Sequence, residues 1–296
     1  MKALVFSEDA DIASQMVTYF SKVMSVDSAT TSAKYSELAD FGAGTIYHMK
    51  GDVQSDSISL KLQEVFNGGY DYLFVSSTIL GREVAGNVSE RLGKEIVPEI
   101  NSFELKNGKA VTKRFFLGGK TVLDEESDAR VFTVTPGISE PQKTAGKSAI
   151  TEVELPQSAL KTISTEEKST TGVNLEKAKV IVCVGRGLGK KEGIASVEPL
   201  VKAVGGELAG SRPVCLDYQW LTEDRQVGIS GKKVRPNLYI ALGVSGQIQH
   251  IAGMRGSRTV IAINKDKSAP IFEEADYGLV GDLYQIIPKL VKALSS

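Results

Sequence analysis

The chain has 296 residues, 24% of them charged, which fits two domains and excludes wholesale disorder. A net charge of −1 excludes a dedicated duplex nucleic-acid binder, and no apolar run approaches the ~20 residues that span a bilayer. Two cysteines without CxxC spacing and only two histidines exclude a disulfide framework, a zinc site and most metal-hydrolase schemes, so a reduced, cytoplasmic protein is expected.

In chain order, Lys2–Phe6 reads as a short apolar strand, followed too soon by Glu8, Asp9 and Asp11 for a signal peptide. Asp9–Met24 carries helical spacing through Ile12, Met16, Val17, Phe20 and Val23. Gly44–Met49 is a second strand, a helix runs through Ile58, Leu62, Val65 and Phe66, and Tyr70–Val75 is a buried strand. Ser76–Gly81 turns into a helix across Val84–Leu92. Strand and helix alternating at this spacing predict a parallel α/β sheet. After residue 96 the pattern shifts to short strands: Phe103–Leu105 and Ala110–Thr112 flank the turn Lys106-Asn107-Gly108-Lys109. Phe115–Leu117, Thr121–Leu123 and Arg130–Val134 continue the run, and Pro136-Gly137 stops it.

Residues 156–178 are rich in Ser, Thr, Lys and Glu and read as a linker or surface wrap between a first domain, 1–175, and a second, 176–296. The second α/β unit opens at Lys179–Val184, with a helix around Ile194–Val204. Its later strands are predicted at Asn237–Ala241, Arg258–Ile263 and Tyr277–Val280, before a last helix N-capped by Asp282. The division also splits the charge. Residues 1–175 hold 18 Lys plus Arg against 24 Asp plus Glu, and residues 176–296 hold 17 against 12. Fifteen of the 29 glycines lie between Gly185 and Gly281, so the second module is basic and glycine-rich, which points to an anionic ligand.

Two segments, Gly118–Thr121 and Ala145–Ser148, contain GK[ST]. Arg114 and Pro141 stand where the phosphate loop needs its first Gly, and no helix is expected to follow, so both read as turns. Gly185-Arg186-Gly187-Leu188-Gly189 follows a buried strand, but Lys190 replaces the third Gly of the dinucleotide fingerprint. The residues alone leave open a flexible turn or an Arg186 paired with a pyrophosphate. Gly243–His250 follows a strand and opens a helix, where free N–H groups suit a phosphate. Arg212 and the loop Gln226–Gly231 say little by themselves, while Asn264-Lys265-Asp266 falls at a strand's carboxyl end, the ligand edge of a parallel sheet.

Taken together, Lys179–Leu294 resembles the flavin-binding region of the electron transfer flavoprotein alpha subunit family. The resemblance is carried by GRGLG at 185–189, SRP at 211–213, QVGISG at 226–231 and the block Leu238–Met254. It continues through Ile263–Asp266, Ala269–Phe272, Ala275–Val280 and Gly281-Asp282-Leu283. Gly81–Ala85 and Phe116–Lys120 extend a weaker match into the first domain. The resemblance implies an N-terminal parallel-sheet α/β domain of adenine nucleotide alpha hydrolase type with added antiparallel strands. It also implies a C-terminal Rossmann-like domain that holds FAD, with no catalytic residues and no metal.

By the same resemblance Arg186 contacts the FAD pyrophosphate, Ser245, Gln249 and Asn264 the ribityl-phosphate portion, and Asp282 the adenosine end. Arg212 lies near the isoalloxazine, His250 near its pyrimidine carbonyl and Ser230 near N5. Ser211, Gln226, Gly231, Gly246, Lys265, Asp266 and Leu283 complete the expected cofactor set. Arg212 and, if protonated, His250 would stabilise negative charge on the reduced ring. The chain departs from the family at Ile229-Ser230-Gly231, where Gln-Thr-Gly is common, and the stretch from Arg212 to Asp217 is one residue longer.

The expected function is an electron carrier without its own turnover. It would pair with a beta subunit that packs on the acidic first module. It would dock transiently with flavin dehydrogenases, such as the acyl-CoA dehydrogenases of fatty acid β-oxidation, and with a membrane quinone oxidoreductase. The alternatives are an electron-bifurcating, NADH-linked complex, a Rossmann-type NAD dehydrogenase and a nucleotide-binding adaptor without redox role.

Overall fold

Four consecutive apolar residues after Lys2 make β1 (Lys2–Phe6), buried on both faces as the middle of a parallel sheet requires. A computed structural model of the chain describes residues 1–119, 121–145, 148–164 and 173–294 and divides into two compact units, Met1–Thr165 and Glu166–Ser296.

In the first unit Asp9 caps α1 (Ala10–Phe20), its carboxylate accepting from the Asp11 and Ile12 N–H groups. The helix ends at Phe20, short of the predicted Met24, because Ser21–Met24 must turn back into β2 (Ser25–Thr30). β3 (Thr45–Lys50), α2 (Ser55–Phe66), β4 (Tyr72–Ser76) and α3 (Ile79–Leu92) follow as expected. β5 (Ile96–Ile100) comes next, before the antiparallel set β6 (Ser102–Lys106), β7 (Lys109–Phe116) and β8 (Thr121–Ser127). Asn107 and Gly108 both sit at positive φ, 52° and 80°, the geometry of a two-residue hairpin turn. β9 (Val131–Val134) leaves that set and joins the main sheet, as does β10 (Ala149–Glu154).

The seven-stranded sheet has the order β10-β3-β2-β1-β4-β9-β5 and is parallel throughout. Phe20, Phe74, Phe103 and Phe132 pack together on one face, and Ile58, Leu62, Val84 and Val88 cover the other. Gly119, in the first GK[ST] segment, lies in the single turn after β7, and Thr121 opens β8 rather than a helix. Lys120, Gly146 and Lys147 lie outside the described residues, as does 165–172 of the predicted linker. Before that gap the chain wraps α2: the Ser158 hydroxyl donates to Asp56 Oδ1 at 2.5 Å and the Ala159 N–H to Oδ2 at 2.8 Å.

The second unit is built from β11 (Val180–Val184), α4 (Ile194–Ala203), β12 (Glu207–Gly210), β13 (Leu238–Leu242), α5 (Ile248–Met254), β14 (Val260–Asn264), β15 (Tyr277–Val280) and α6 (Leu283–Leu294). Its five strands are all parallel in the order β12-β11-β13-β14-β15. Val197, Leu200 and Ile287 from α4 and α6 bury one face, and Met254 and Ile271 the other. Strand order reverses between β11 and β13, so the crevice of this sheet opens at their carboxyl ends. Among the described residues no helix is long and apolar enough to cross a membrane.

Candidate functional site

The loops at the crevice are Gly185–Gly189 after β11 and Gly243–Gln247 after β13. They lie backbone against backbone: the Gly185 N–H donates to the Leu242 carbonyl and the Gly187 N–H to the Gly243 carbonyl, both at 2.9 Å. A Cβ on Gly187 would stand 2.7 Å from the Gly243 Cα, and one on Gly243, whose φ is +63°, 2.7 Å from the Gly187 Cα. These glycines therefore serve first to let one loop approach the other. From the far side the Tyr284 hydroxyl on α6 donates to the Leu188 carbonyl at 2.7 Å, a support that sequence spacing does not reveal.

The remaining expected residues lie along the same carboxyl edge. Ser211 is buried just after β12, its N–H donating to the Val184 carbonyl at 3.0 Å, with Arg212 exposed beside it. Pro213–Asp217 then forms one π-type turn, with the Tyr218 N–H on the Pro213 carbonyl at 2.9 Å. An i→i+5 ring holds one residue more than an α-turn.

The loop Gln226–Gly231 joins this edge through the Val227 N–H on the Gly210 carbonyl (3.0 Å) and docks on α5 through the Ile229 N–H on the Gln249 carbonyl (2.8 Å). Buried Gln226 donates from Nε2 to the exposed Ser230 hydroxyl at 3.0 Å. Here too glycine serves packing, since a Cβ on Gly253 of α5 would stand 2.5 Å from the Gly228 Cα.

Asn264 is buried and committed within the fold. Its Nδ2 donates to the Val244 carbonyl at 2.9 Å and its Oδ1 accepts from the Asp266 N–H at 3.1 Å, tying the β13 and β14 loops together. Asp266, exposed, is held below the usual carboxylate range chiefly by the Ser268 hydroxyl. Asp282 accepts from the Tyr284 N–H at 2.7 Å, the predicted cap of α6, and Leu283 is buried under that helix. Gly246 packs against Ile271, and Ser245, Gln249 and Lys265 are exposed. Among the described residues neither Arg186 nor Arg212 makes an ion pair or side-chain hydrogen bond.

His250, in the first turn of α5, is 7% exposed. Its Nε2 lies 2.9 Å from the Tyr239 hydroxyl and 3.9 Å from the Cys183 Sγ, while Nδ1 is buried and, among the described residues, makes no hydrogen bond of normal geometry. Burial pushes its pKa down from 6.5 to about 4, opposed by the Val227 backbone carbonyl. Burial therefore favours the neutral ring at physiological pH, so the charge stabilisation expected of His250 only if protonated is left to Arg212. Burial also raises the Cys183 thiol and pushes Cys215 up to about 12, so neither is a reactive thiolate.

Two unpaired guanidiniums and an unsatisfied buried imidazole nitrogen at one sheet crevice fit an anionic dinucleotide. Residues 174–255 match the electron transfer flavoprotein FAD-binding domain, and residues 23–158 the electron transfer flavoprotein domain. Asn264, Lys265, Asp266, Asp282 and Leu283 fall beyond the first of these spans. Protein FixB of Escherichia coli O127:H6 is 38% identical over 250 residues, covering 82% of this chain and 78% of its own. Protein FixB of Shigella dysenteriae serotype 1 is 36% identical over 271 residues, covering 88% and 87%. Among solved structures, Acinetobacter baumannii MurG aligns with a TM-score of 0.34 at 11% identity, over 100% of this chain and 91% of its own, too low to bear on the fold.

Proposed function

Because this chain belongs to the electron transfer flavoprotein alpha subunit (FixB) family, we propose that it is the FAD-holding half of a heterodimeric electron carrier that serves flavin dehydrogenases and a membrane quinone oxidoreductase. The cofactor is FAD, and the family is one of electron carriers. When bound, FAD supplies the one- and two-electron redox chemistry. The chain's own residues bind it, tune it and exclude water from it.

In this reading the exposed Arg186 pairs with pyrophosphate through its planar fork. Ser245 and Gln249, exposed at the mouth of the β13 loop, contact the ribityl-phosphate portion, and Asn264 acts on it by fixing that loop. Asp282 sits at the adenosine end, and Ser211, Gln226, Gly231, Gly246, Lys265, Asp266 and Leu283 shape the rest of the cradle. Arg212 is the fixed positive charge near the ring system and favours its reduction by electrostatic attraction. Neutral His250 offers a hydrogen bond instead of a second charge. Ser230, oriented by Gln226, presents a hydroxyl where the family commonly has Thr, while Ile229 is an exposed apolar side chain in place of Gln.

The observation that carries this reading is the meeting of Gly187 and Gly243 at the strand-order reversal, within the span that matches the FAD-binding domain. The acidic first unit we assign to packing on the beta subunit, on the strength of its charge and its lack of a cofactor sequence. The test is the visible spectrum and flavin count of the chain co-purified with its beta subunit. Yellow complex with one releasable FAD per heterodimer is expected. Two flavins would move the assignment to an electron-bifurcating complex, and a colourless pair, or NAD reduction by the chain alone, would overturn it.

A further inference from the structure

Tyr239 has no assigned role in the sequence reading, yet it is a fully buried polar side chain at the proposed site. It stands on β13 with 0% exposure, on the same sheet face as Cys183 of β11, and its hydroxyl reaches His250 at the start of α5. We propose that Tyr239 is a positioning residue, whose hydroxyl donates to Nε2 and holds the His250 imidazole in the tautomer that carries its hydrogen on Nδ1.

Two hydrogen orders are open to the buried cluster in which the Tyr239 hydroxyl and the Cys183 thiol lie 2.9 and 3.9 Å from His250 Nε2 and the thiol also reaches the phenol. In one, the phenol O–H points to the imidazole Nε2 and the thiol S–H completes the phenol oxygen. In the other, an Nε2–H points to the phenol oxygen and the phenol O–H is left to a thiol sulfur. Sulfur is a weak acceptor, whereas an unprotonated imidazole nitrogen is a strong one, so the first order makes one strong bond where the second makes none of equal strength. Burial keeps the thiol and the phenol protonated and the imidazole neutral, so the ring has a single hydrogen to place. With Nε2 accepting, that hydrogen lies on Nδ1, which is buried near the Val227 carbonyl and, among the described residues, makes no hydrogen bond of normal geometry.

The consequence for the cofactor rests on the FAD reading above. His250 is then a neutral N–H donor beside the β11–β13 crevice, suited to an uncharged acceptor such as a ring carbonyl, and available without any change of protonation. Tyr239 acts only through the imidazole and touches nothing outside the core.

The test is nitrogen-15 NMR of the imidazoles in the full chain with its beta subunit, after FAD has been stripped and again after FAD is returned. The His250 resonances are those absent from a His250→Gln variant. A protonated Nδ1 and an unprotonated Nε2 are expected in the stripped pair from pH 8 to about 5.5. In Tyr239→Phe, which removes one oxygen from the core, the pattern should move toward the Nε2–H form, and FAD should be retained about five-fold less tightly. An Nε2–H pattern in the parent chain, or an unchanged pattern in Tyr239→Phe, overturns the assignment. The parent spectrum decides the matter even where the variant fails to fold. An Nδ1–H pattern in a pair that takes up no FAD would defeat the FAD reading and leave the role of Tyr239 standing.

Discussion

His250 has opposite meanings in the sequence and in the fold. Beside a glycine-rich helix start it reads as a group that could carry charge. Tyr239, eleven residues away, and Cys183, 67 away, enclose it and remove that option. Its pKa of about 4 lies below the unfolded value near 6.5, so the unfolded chain takes up the proton first as pH falls. Stability is then full above pH 6.5 and declines toward pH 4, by about 3 kcal/mol from this group alone. Urea unfolding of His250→Asn should lack that slope between pH 6.5 and 5, and parallel curves for variant and parent would contradict the burial. Gly243 sits at positive φ with the Gly187 Cα in the path of any Cβ. Gly243→Ala should cost about 1–3 kcal/mol in chemical unfolding and lower flavin retention, whereas an unchanged Cm would mean that the two loops are not in contact. The glycine-rich loops were legible, but their partners were not, because the spacing within each loop cannot say which loop it meets.

Among elements, those with clean periodicity were legible and those with compensated polarity were not. β2 reads Ser-Val-Asp-Ser-Ala-Thr and shows no strand pattern. Its buried Asp27 is satisfied from outside by Lys2 at 2.7 Å, the Tyr70 hydroxyl at 2.5 Å and the Thr45 N–H at 2.8 Å. β5 contains Pro98 and a register shift beside Glu99 at φ 55°, features that an edge strand tolerates and a periodicity reading rejects. The last helix was legible to its cap. Asp282 serves that cap and is also assigned to the adenosine end, and two substitutions separate the roles. Asp282→Ala should cost about 1 kcal/mol of stability, while Asp282→Ser should keep most of it. If Ser matches Asp in flavin affinity as well as in melting temperature, the adenosine assignment falls.

At the scale of the whole molecule, the net charge of −1 covers an acidic first part and a basic second one. Two parallel sheets of seven and five strands account for the alternation seen along the chain, with one antiparallel excursion where the hairpin signal Asn107-Gly108 stands. The proposed site draws on the carboxyl ends of all five strands of the second sheet, which makes it readable as an edge once the strand order is known. The central claim is that FAD occupies this edge. Hydrogen–deuterium exchange of the heterodimer, stripped of FAD and then reloaded, tests it most directly. Slowed exchange is expected at Gly185–Gly189, Gly243–His250 and Asn264–Asp266, with the first unit's β1 and β4 ends unchanged. Protection confined to the first unit, or absent from the Gly185 and Gly243 loops in a pair that has bound FAD, would contradict it.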